Sequence, residues 1–391
     1  MSKLEELIAK LCPNGVNYVK IGDICEVITG GEAPLESIKC KEAMGDYIYP
    51  IYSNGIGENA LWGYAKTYRI NKKSVTFSSI GTIGYPTLRE KYFTPIIRLK
   101  TLFPLDDKIL DVKFLKYALE IVTFEQQKSS VPNINSNMMK AIRIPLPPIE
   151  VQEEIVRILD KFTELTAELT AELTARKKQY EFYRDKLLKF NSDIPKFKLS
   201  IIFNTRNGYT PSKSNKSFWN SKDCPWFRMD DIRENGRILD HAIQYVSLSA
   251  IKGRPFPAES IIISTSATIG EHALIRCESL ANQRFTYLML QDEYKNKFDI
   301  KFLYYYCFIL DEFCKNNLNQ GNFASVDMRK FNDFEFPMPP LEEQRRIVQI
   351  LDRFDKLCND LTEGLPAEIE ARKKQYEYYR DKLLTFNEIR N

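Results

Sequence analysis

One long helical stretch occurs twice in this chain, and the rest is arranged around it. Residues 145–190 read PLPPIEVQEEIVRILDKFTELTAELTAELTARKKQYEFYRDKLLKF. Residues 337–386 read PMPPLEEQRRIVQILDRFDKLCNDLTEGLPAEIEARKKQYEYYRDKLLTF. Over 175–188 and 371–384 the two copies differ at one position, Phe182 against Tyr378. Pro147, Gln152, Ile155, Val156, Ile158, Leu159, Asp160 and Phe162 recur as Pro339, Gln344, Ile347, Val348, Ile350, Leu351, Asp352 and Phe354. A repeat spaced by almost half of 391 residues is not a solenoid, whose units are far shorter. It sets the order globular domain, helix, globular domain, helix.

Each copy follows Pro-x-Pro-Pro, which fixes an extended approach and can put a proline in the first helical turn. Glu150 and Glu342 then suit the positive end of the helix dipole. Ile155, Leu159, Phe162, Leu165, Leu169 and Leu173 make an apolar stripe, continued by Tyr180, Tyr183 and Leu187. The second copy has Ile347, Leu351, Phe354, Leu357, Leu361, Leu365 and Ile369, then Tyr376, Tyr379 and Leu383. Spacings of three and four predict helix-on-helix packing along a rod of roughly 60 Å. The nearest partner for one rod is the other. Antiparallel pairing would return the C-terminus toward residues 1–20 and close a pseudo-twofold ring. The duplication favours this intrachain pairing over a dimerisation coiled coil.

Two Thr-Ala-Glu-Leu units stand at 166–169 and 170–173. A leucine every four residues makes the stripe drift by about 40° per unit. One unit more or less moves whatever follows by about 6 Å and about 40°. The second rod is longer by four residues between matching landmarks and holds Gly364 and Pro366, so a bend is expected there.

The segments around the rods repeat the same order without close identity. Residues 4–11 read as a short helix stopped by Pro13-Asn14-Gly15. Short β-rich runs separated by turn residues fill 46–103, and 111–126 has helical spacing at Leu115, Ala118, Leu119 and Val122. In the second half ESIIISTSATIGEHALI parallels KSVTFSSIGTIGYPTLR, sharing Thr-Ile-Gly at 82–84 and 268–270. FDIKFLYYYCFIL parallels LDVKFLKYALEIV. The division is 1–144 and 192–336 for two similar domains, with 145–191 and 337–391 as helical spacers. The fold class is α+β, with two similar globular α/β domains separated by two long helices.

Composition bounds the chemistry. With 43% apolar and 28% charged residues, the chain has an ordinary globular make-up. MSKLEELIAK reads as an amphipathic helix start, not a signal peptide, and no apolar run is long enough to span a bilayer, so the expected setting is the cytoplasm. Eight cysteines lack CxxC spacing and only His241 and His272 are present, which speaks against structural zinc and for free thiols. The net charge of +4 is weak support for a nucleic-acid partner; residues 1–144 carry 19 Lys/Arg against 15 Asp/Glu, and 192–336 carry 19 against 17. There is no Asn/Asp-Pro-Pro-Tyr/Phe motif, no Gly-rich adenosylmethionine loop, no Gly-x-x-x-x-Gly-Lys-Ser/Thr loop and no clear Asp/Glu-x-Lys nuclease cluster.

Taken together, these features resemble the specificity subunit of type I restriction–modification enzymes. The resemblance covers essentially the whole chain. It rests on Pro-x-Pro-Pro-x-Glu-x-Gln at 145–152 and 337–344, the Ile-Leu-Asp after each, and the RKKQYE-x-YRDKLL ends. The Thr-Ala-Glu-Leu units, the N-terminal LIAKLCPNGVNYVKIGDI and GYTPS at 208–212 add to it. It implies that each domain reads one half of a split site in double-stranded DNA while the paired helices fix the unread gap. It implies two methyltransferase subunits as partners, with motor–nuclease subunits joining for cleavage. The chain itself would be non-catalytic and hold no cofactor or metal; S-adenosylmethionine, ATP and Mg2+ would enter through the partners. The repeated Thr-Ala-Glu-Leu resembles a subgroup in which repeat number tunes the gap. The competing readings are a coiled-coil scaffold without DNA specificity and a self-contained DNA methyltransferase.

Base edges are read by polar side chains, with Lys, Arg, Ser and Thr on phosphates. The candidates in domain one are Tyr52, Ser53, Asn54, Arg69, Lys72, Lys73, Ser79 and Thr82. In domain two they are Thr210, Ser212, Lys213, Lys216, Arg228, Asn282, Gln283 and Arg284. Trp219 and Trp226 are expected to be packed, and Gly81, Gly84 and Gly270 to make tight turns. The shared polar face gives the partner-binding candidates Arg176, Lys177 and Gln179, with Arg372, Lys373 and Gln375. Two identical partners require two equivalent faces.

Overall fold

A computed structural model describes residues 3–80, 83–122, 133–319, 324–360 and 363–389. The chain is α+β and packs as two compact units. One comprises 1–168 with 370–391, the other 169–369. Each unit therefore holds the start of one rod and the end of the other.

Unit one has a four-stranded antiparallel sheet in the order Cys25–Thr29, Lys100–Pro104, Ser74–Ser78, Gly84–Arg89. Ser74–Ser78 and Lys100–Pro104 are buried along their whole length, their polar residues Ser74, Thr76, Ser78, Lys100 and Thr101 included. The helix Val112–Glu120 covers the sheet with Phe114, Leu115, Ala118 and Leu119, all buried. Asp111 caps it by accepting from the N–H groups of Lys113 and Phe114, both at 2.8 Å. A second small sheet runs Ser37–Ile38, Leu61–Ala65, Tyr49–Tyr52, Thr94–Pro95, the last pair parallel.

Unit two repeats this plan. Its main sheet runs Phe203–Asn207, Phe285–Leu290, Ser260–Ser264, His272–Ile275, with Ile238–Leu239 added in parallel at the edge. Asp299 caps the helix Ile300–Asn316 as Asp111 does its counterpart. The small sheet is Tyr245–Val246, Cys224–Phe227, Leu280–Ala281, and again its last pair is parallel. The strand registers equate Tyr52 and Pro95 with Phe227 and Ala281.

The first rod is one helix, Ile149–Leu187, 39 residues and so about 58 Å long. The second is not one bent helix, as expected, but two helices, Leu341–Asn359 and Leu365–Leu384. Gly364 N–H closes on Asp360 O at 3.2 Å, and a Cβ there would lie 2.6 Å from Lys356 O. Pro366 falls in the first turn of the following helix, where its missing N–H costs nothing.

Both rods are anchored identically. Gln152 is fully buried. It accepts from Asp111 N–H at 2.9 Å and donates to Ile109 O and Pro147 O, both at 2.8 Å. Gln344 accepts from Asp299 N–H at 2.8 Å and donates to Lys297 O and Pro339 O at 3.0 and 2.8 Å. Ile155, Leu159, Ile347 and Leu351 are completely buried. In unit one Phe162 stacks on Tyr379, and in unit two Phe354 stacks on Tyr183. The stripe does not continue evenly through the Thr-Ala-Glu-Leu zone. Leu165, just before the units, is 38% exposed, whereas Leu169 and Leu173 within them stay half-buried. Leu357 is likewise exposed, and its neighbour Cys358 is buried instead; Leu361 lies outside the described residues.

In unit one the C-terminal segment returns to the first strand. Val16 N–H donates to Asn387 O at 2.8 Å and Ile389 N–H to Val16 O at 3.1 Å. Arg143 pairs with Glu388 beside them.

Candidate nucleic-acid interface

Domain two has an open cleft of about 310 Å³ where the small sheet meets the end of the large one. Its lining includes Thr210, Lys213, Trp226, Arg228, Asp230, Arg233, Asn282, Gln283 and Arg284. Each is placed by backbone. Asn282 N–H donates to Phe227 O at 3.0 Å, and Phe285 N–H closes a turn on Asn282 O at 3.1 Å. Gly208 N–H donates to Phe285 O at 2.9 Å, which aims the following Tyr209-Thr210 at the same turn. A Cβ at Gly208 would sit 2.3 Å from Ala281 O, so only glycine permits this approach.

Four cations, Lys213, Arg228, Arg233 and Arg284, face one carboxylate in this cleft, Asp230. Asp230 touches Arg228 and Arg233 only loosely, at 3.9 and 3.8 Å. Trp226 is buried beneath. Its indole N–H donates to Tyr209 O at 3.1 Å, and the Arg228 guanidinium lies 5.7 Å from its ring. Trp219 meets Trp226 edge-on at 4.9 Å, so both tryptophans are packed in the domain. Six of the eight domain-two candidates thus come together: Thr210, Lys213, Arg228, Asn282, Gln283 and Arg284. Ser212 and Lys216 do not line the cleft. Ser212 O accepts from the Trp219 indole at 3.0 Å, and Lys216 opens the exposed turn Lys216–Phe218.

The same position in domain one is a wider cleft of about 710 Å³ of different chemistry. It is lined by Gly30, Gly31, Glu32, Trp62, Ile80, Ile96, Ile97 and Arg98. Ile96 N–H donates to Tyr52 O at 2.9 Å, Leu99 N–H closes a turn on Ile96 O at 3.1 Å, and Gly30 N–H donates to Leu99 O at 2.8 Å. These bonds match those around Asn282, Phe285 and Gly208. The central residues of the turn, Ile97 and Arg98, have φ of 52° and 59°. A β-branched residue in the left-handed region is strained, and Ile97 is also 54% exposed.

The domain-one candidates divide. Asn54 donates to Ile97 O and accepts from Ser79 N–H at 2.9 Å. Ser79 is fully buried and donates to Arg98 O at 2.8 Å. Both position the turn; Ser79 is not available to DNA. Tyr52 contributes its carbonyl and lies under the Arg89 guanidinium at 3.8 Å. Ser53 N–H donates to Ala60 O at 2.8 Å. Arg69 reaches Thr29 O at 3.3 Å, beside Gly31. Lys72 and Lys73 lie at the opposite end of strand Ser74–Ser78, about 16 Å away. Lys72 sits over the Phe103 ring and Lys73 pairs with Glu90 at 2.9 Å. Thr82 and Gly81 lie outside the described residues. Gly84 and Gly270 have φ of 107° and 78°, as tight turns require.

Sequence reasoning passed over Trp62, Ile96, Ile97 and Arg98, because three of the four are apolar and the search was for polar side chains. It also passed over Lys100. This lysine is buried, donates to Thr29 Oγ1 and Ser136 Oγ at 2.9 and 3.1 Å, and has its pKa lowered by burial and then by Arg98.

On the rods, Arg176 donates to Gln179 at 3.0 Å and Arg372 to Gln375 at 3.2 Å, while Lys177 and Lys373 point to solvent. The two faces carry the same pattern. His272 is buried against Asp311 at 2.6 Å under the Phe308 and Tyr304 rings, a core pair with no nucleophile on its Nε2. Among the described residues no group of His, Cys, Asp or Glu is arranged to hold a metal. No described helix is long and apolar enough to cross a membrane.

The chain combines a duplicated rod with two domains of one plan, each with a cleft of side chains on a fixed turn. Comparison with known families places it. Residues 13–176 and 191–371 both match the type I restriction modification DNA specificity domain, and the chain belongs to that family. It is a non-catalytic specificity subunit of α+β fold. The EcoR124I/EcoR124II specificity subunit of Escherichia coli is 34% identical, with the match covering 99% of this chain and 97% of that one. The EcoprrI specificity subunit of Escherichia coli is 55% identical over 214 residues, about half (53%) of each chain. The S subunit of the M. genitalium type I system shares the fold at TM-score 0.57 and 17% identity, over 95% of this chain and 96% of that one. A chain from the type I R-M system studied for complex assembly and conformational transition does so at 0.60 and 17%, over 95% and 98%.

Proposed function

We propose that each domain reads one half of a split site in double-stranded DNA and that the helical spacers set the gap between the halves. The observation that carries this is the paired cleft. The same backbone frame appears in both domains, with side chains of different chemistry exposed on it. That is what two readers of two different half-sites require. The duplicated Arg-Lys-Lys-Gln faces serve two copies of one methyltransferase subunit, and motor–nuclease subunits join that assembly for cleavage. S-adenosylmethionine, ATP and Mg2+ are supplied through those subunits. The Thr-Ala-Glu-Leu units support a spacer whose repeat number tunes the gap.

The test is binding by the full chain with its methyltransferase subunit to a duplex carrying the site and to a random duplex, across a salt series. Specific affinities are typically 10³-fold or more above non-specific ones, and both weaken steeply with salt. Equal affinity for the two duplexes at every salt concentration would leave only a scaffold.

A further inference from the structure

The domain-two cleft has a donor face. Asn282 Oδ1 accepts from Arg284 N–H at 2.9 Å. A backbone N–H only donates, so this bond fixes which end of the amide accepts, and among the described residues the Asn282 NH2 has no hydrogen-bond partner. Gln283 Oε1 is held by the Thr210 hydroxyl, and its NH2 likewise has no hydrogen-bond partner among the described residues. Arg228 Nε is buried without a hydrogen-bond partner among the described residues. Asp231 accepts from the backbone N–H of Arg228 at 2.7 Å, and Asp230 lies 3.9 Å from the Arg228 guanidinium. Beyond these groups stand Arg284 and Lys213, both exposed. Apart from Asp230, every charged group in the cleft offers hydrogens.

The base pairs differ in what they present to such a face. Guanine shows two acceptors, N7 and O6, in the major groove. Adenine shows one acceptor beside a donor, and cytosine shows a donor alone. Guanine alone offers two side-by-side acceptors to a face built of two amide NH2 groups and arginine N–H groups; adenine and thymine offer one each and cytosine none. The one carboxylate, Asp230, suits the cytosine N4 amino group of the same pair. The equivalent turn in domain one carries Ile96-Ile97-Arg98, whose first two residues offer no side-chain donor. The frame is kept while the chemistry on it changes, as expected of a position that selects a base.

We infer that the turn Asn282-Gln283-Arg284 determines specificity in domain two, and that it reads a guanine through N7 and O6 with Arg228 at its flank. This rests on the proposed reading of split DNA sites and goes on to name the base.

The test uses the full chain with its methyltransferase subunit. The methylated motif is mapped first, then mapped again for Asn282→Ile, Gln283→Ile and Gln283→Glu. The expected result is loss of preference at one guanine in one half-site, with the other half-site and the gap unchanged. Gln283→Glu keeps the size of the side chain but offers acceptors, and should shift that position toward cytosine. Replacing that guanine with 7-deazaguanine should weaken wild-type binding by about 5-fold or more, since a good bidentate pair gives ~1–3 kcal/mol of discrimination. The deaza substitution should not weaken binding by the Gln283→Ile variant further. The deaza measurement does not depend on how well any variant folds.

The inference fails if the relaxed position is not a guanine, or if the deaza base binds the wild type normally. It also fails if the variants lower affinity equally for all sequences, which is the mark of a phosphate contact. In each of these cases a split motif is still found and the reading of the function stands. If the wild type yields no split motif, that reading fails, and the base assignment falls with it.

Discussion

Asp160 and Asp352, 192 residues apart, hold the same two groups in their two domains. Asp160 accepts from Lys113 Nζ and, at 2.7 Å, from the Tyr117 hydroxyl. Asp352 accepts from Lys301 Nζ at 2.6 Å and the Tyr305 hydroxyl at 2.7 Å. Burial works to raise the Asp160 pKa, but the Lys113 ammonium and the Tyr117 hydroxyl overcome it, and the net direction is down. With the paired glutamines, these aspartates fasten each rod to the helix over its own domain.

The glutamine clamps carry the first prediction. Gln152→Leu leaves Asp111 N–H, Ile109 O and Pro147 O without their partner in a buried site. A loss of about 3 kcal/mol or more is expected, read from urea unfolding. Gln344→Leu should cost a similar amount through Asp299, Lys297 and Pro339. No shift of the midpoint for either would show that water replaces the clamp.

Asp355 behaves in the opposite sense. Burial raises its pKa, Asn359 draws it down by a hydrogen bond, and the Asp352 charge raises it further. Its folded pKa lies above the unfolded value, so its contribution favours the fold only below the unfolded pKa and is lost as pH rises. Asp355→Asn keeps the neutral shape. It should raise the melting temperature at pH 7, with the gain shrinking below about pH 4. A lower melting temperature at pH 7 would contradict this.

Gly364 is held by contact rather than by dihedral. A Cβ would meet Lys356 O, Asp360 O and Leu357 O at 2.6, 2.7 and 3.0 Å. All three are backbone atoms and cannot swing away. Gly364→Ala should destabilise by about 1–3 kcal/mol, measured by thermal unfolding, while Gly31, whose Cβ would meet only the Arg69 side chain at 3.7 Å, should tolerate alanine better.

Much of this was legible because it depends on local chemistry. The rods, their anchoring residues and the two domains follow from apolar spacing and from the internal duplication. The break at Gly364 was foreseen only as a bend, since its geometry depends on carbonyls of the preceding turn. Gln152, Gln344, Asp160 and Asp352 were visible as repeats, but their partners lie 41 to 51 residues away and carry no sequence signal. The domain-two cleft was largely legible because its residues are polar. Its counterpart was not, because Ile96 and Ile97 look like core. Register could have found it. Both segments begin fourteen residues beyond the threonine of Thr-Ile-Gly, at Thr82 and Thr268.

The spacer predicts a change in geometry without a change in letters. Deleting one Thr-Ala-Glu-Leu unit shortens the helix by about 6 Å and turns it by about 40°. Motif mapping should then show the same two half-sites with a different gap. Altered half-site letters would contradict the ruler role.

The most direct measurement is a map of methylated bases in DNA from cells that express this chain together with its methyltransferase subunit. The account predicts a split motif with methylated adenine in both halves, and loss of one half's requirement when the turn of its reading domain is altered. Methylation without a split motif, or none at all, would contradict it.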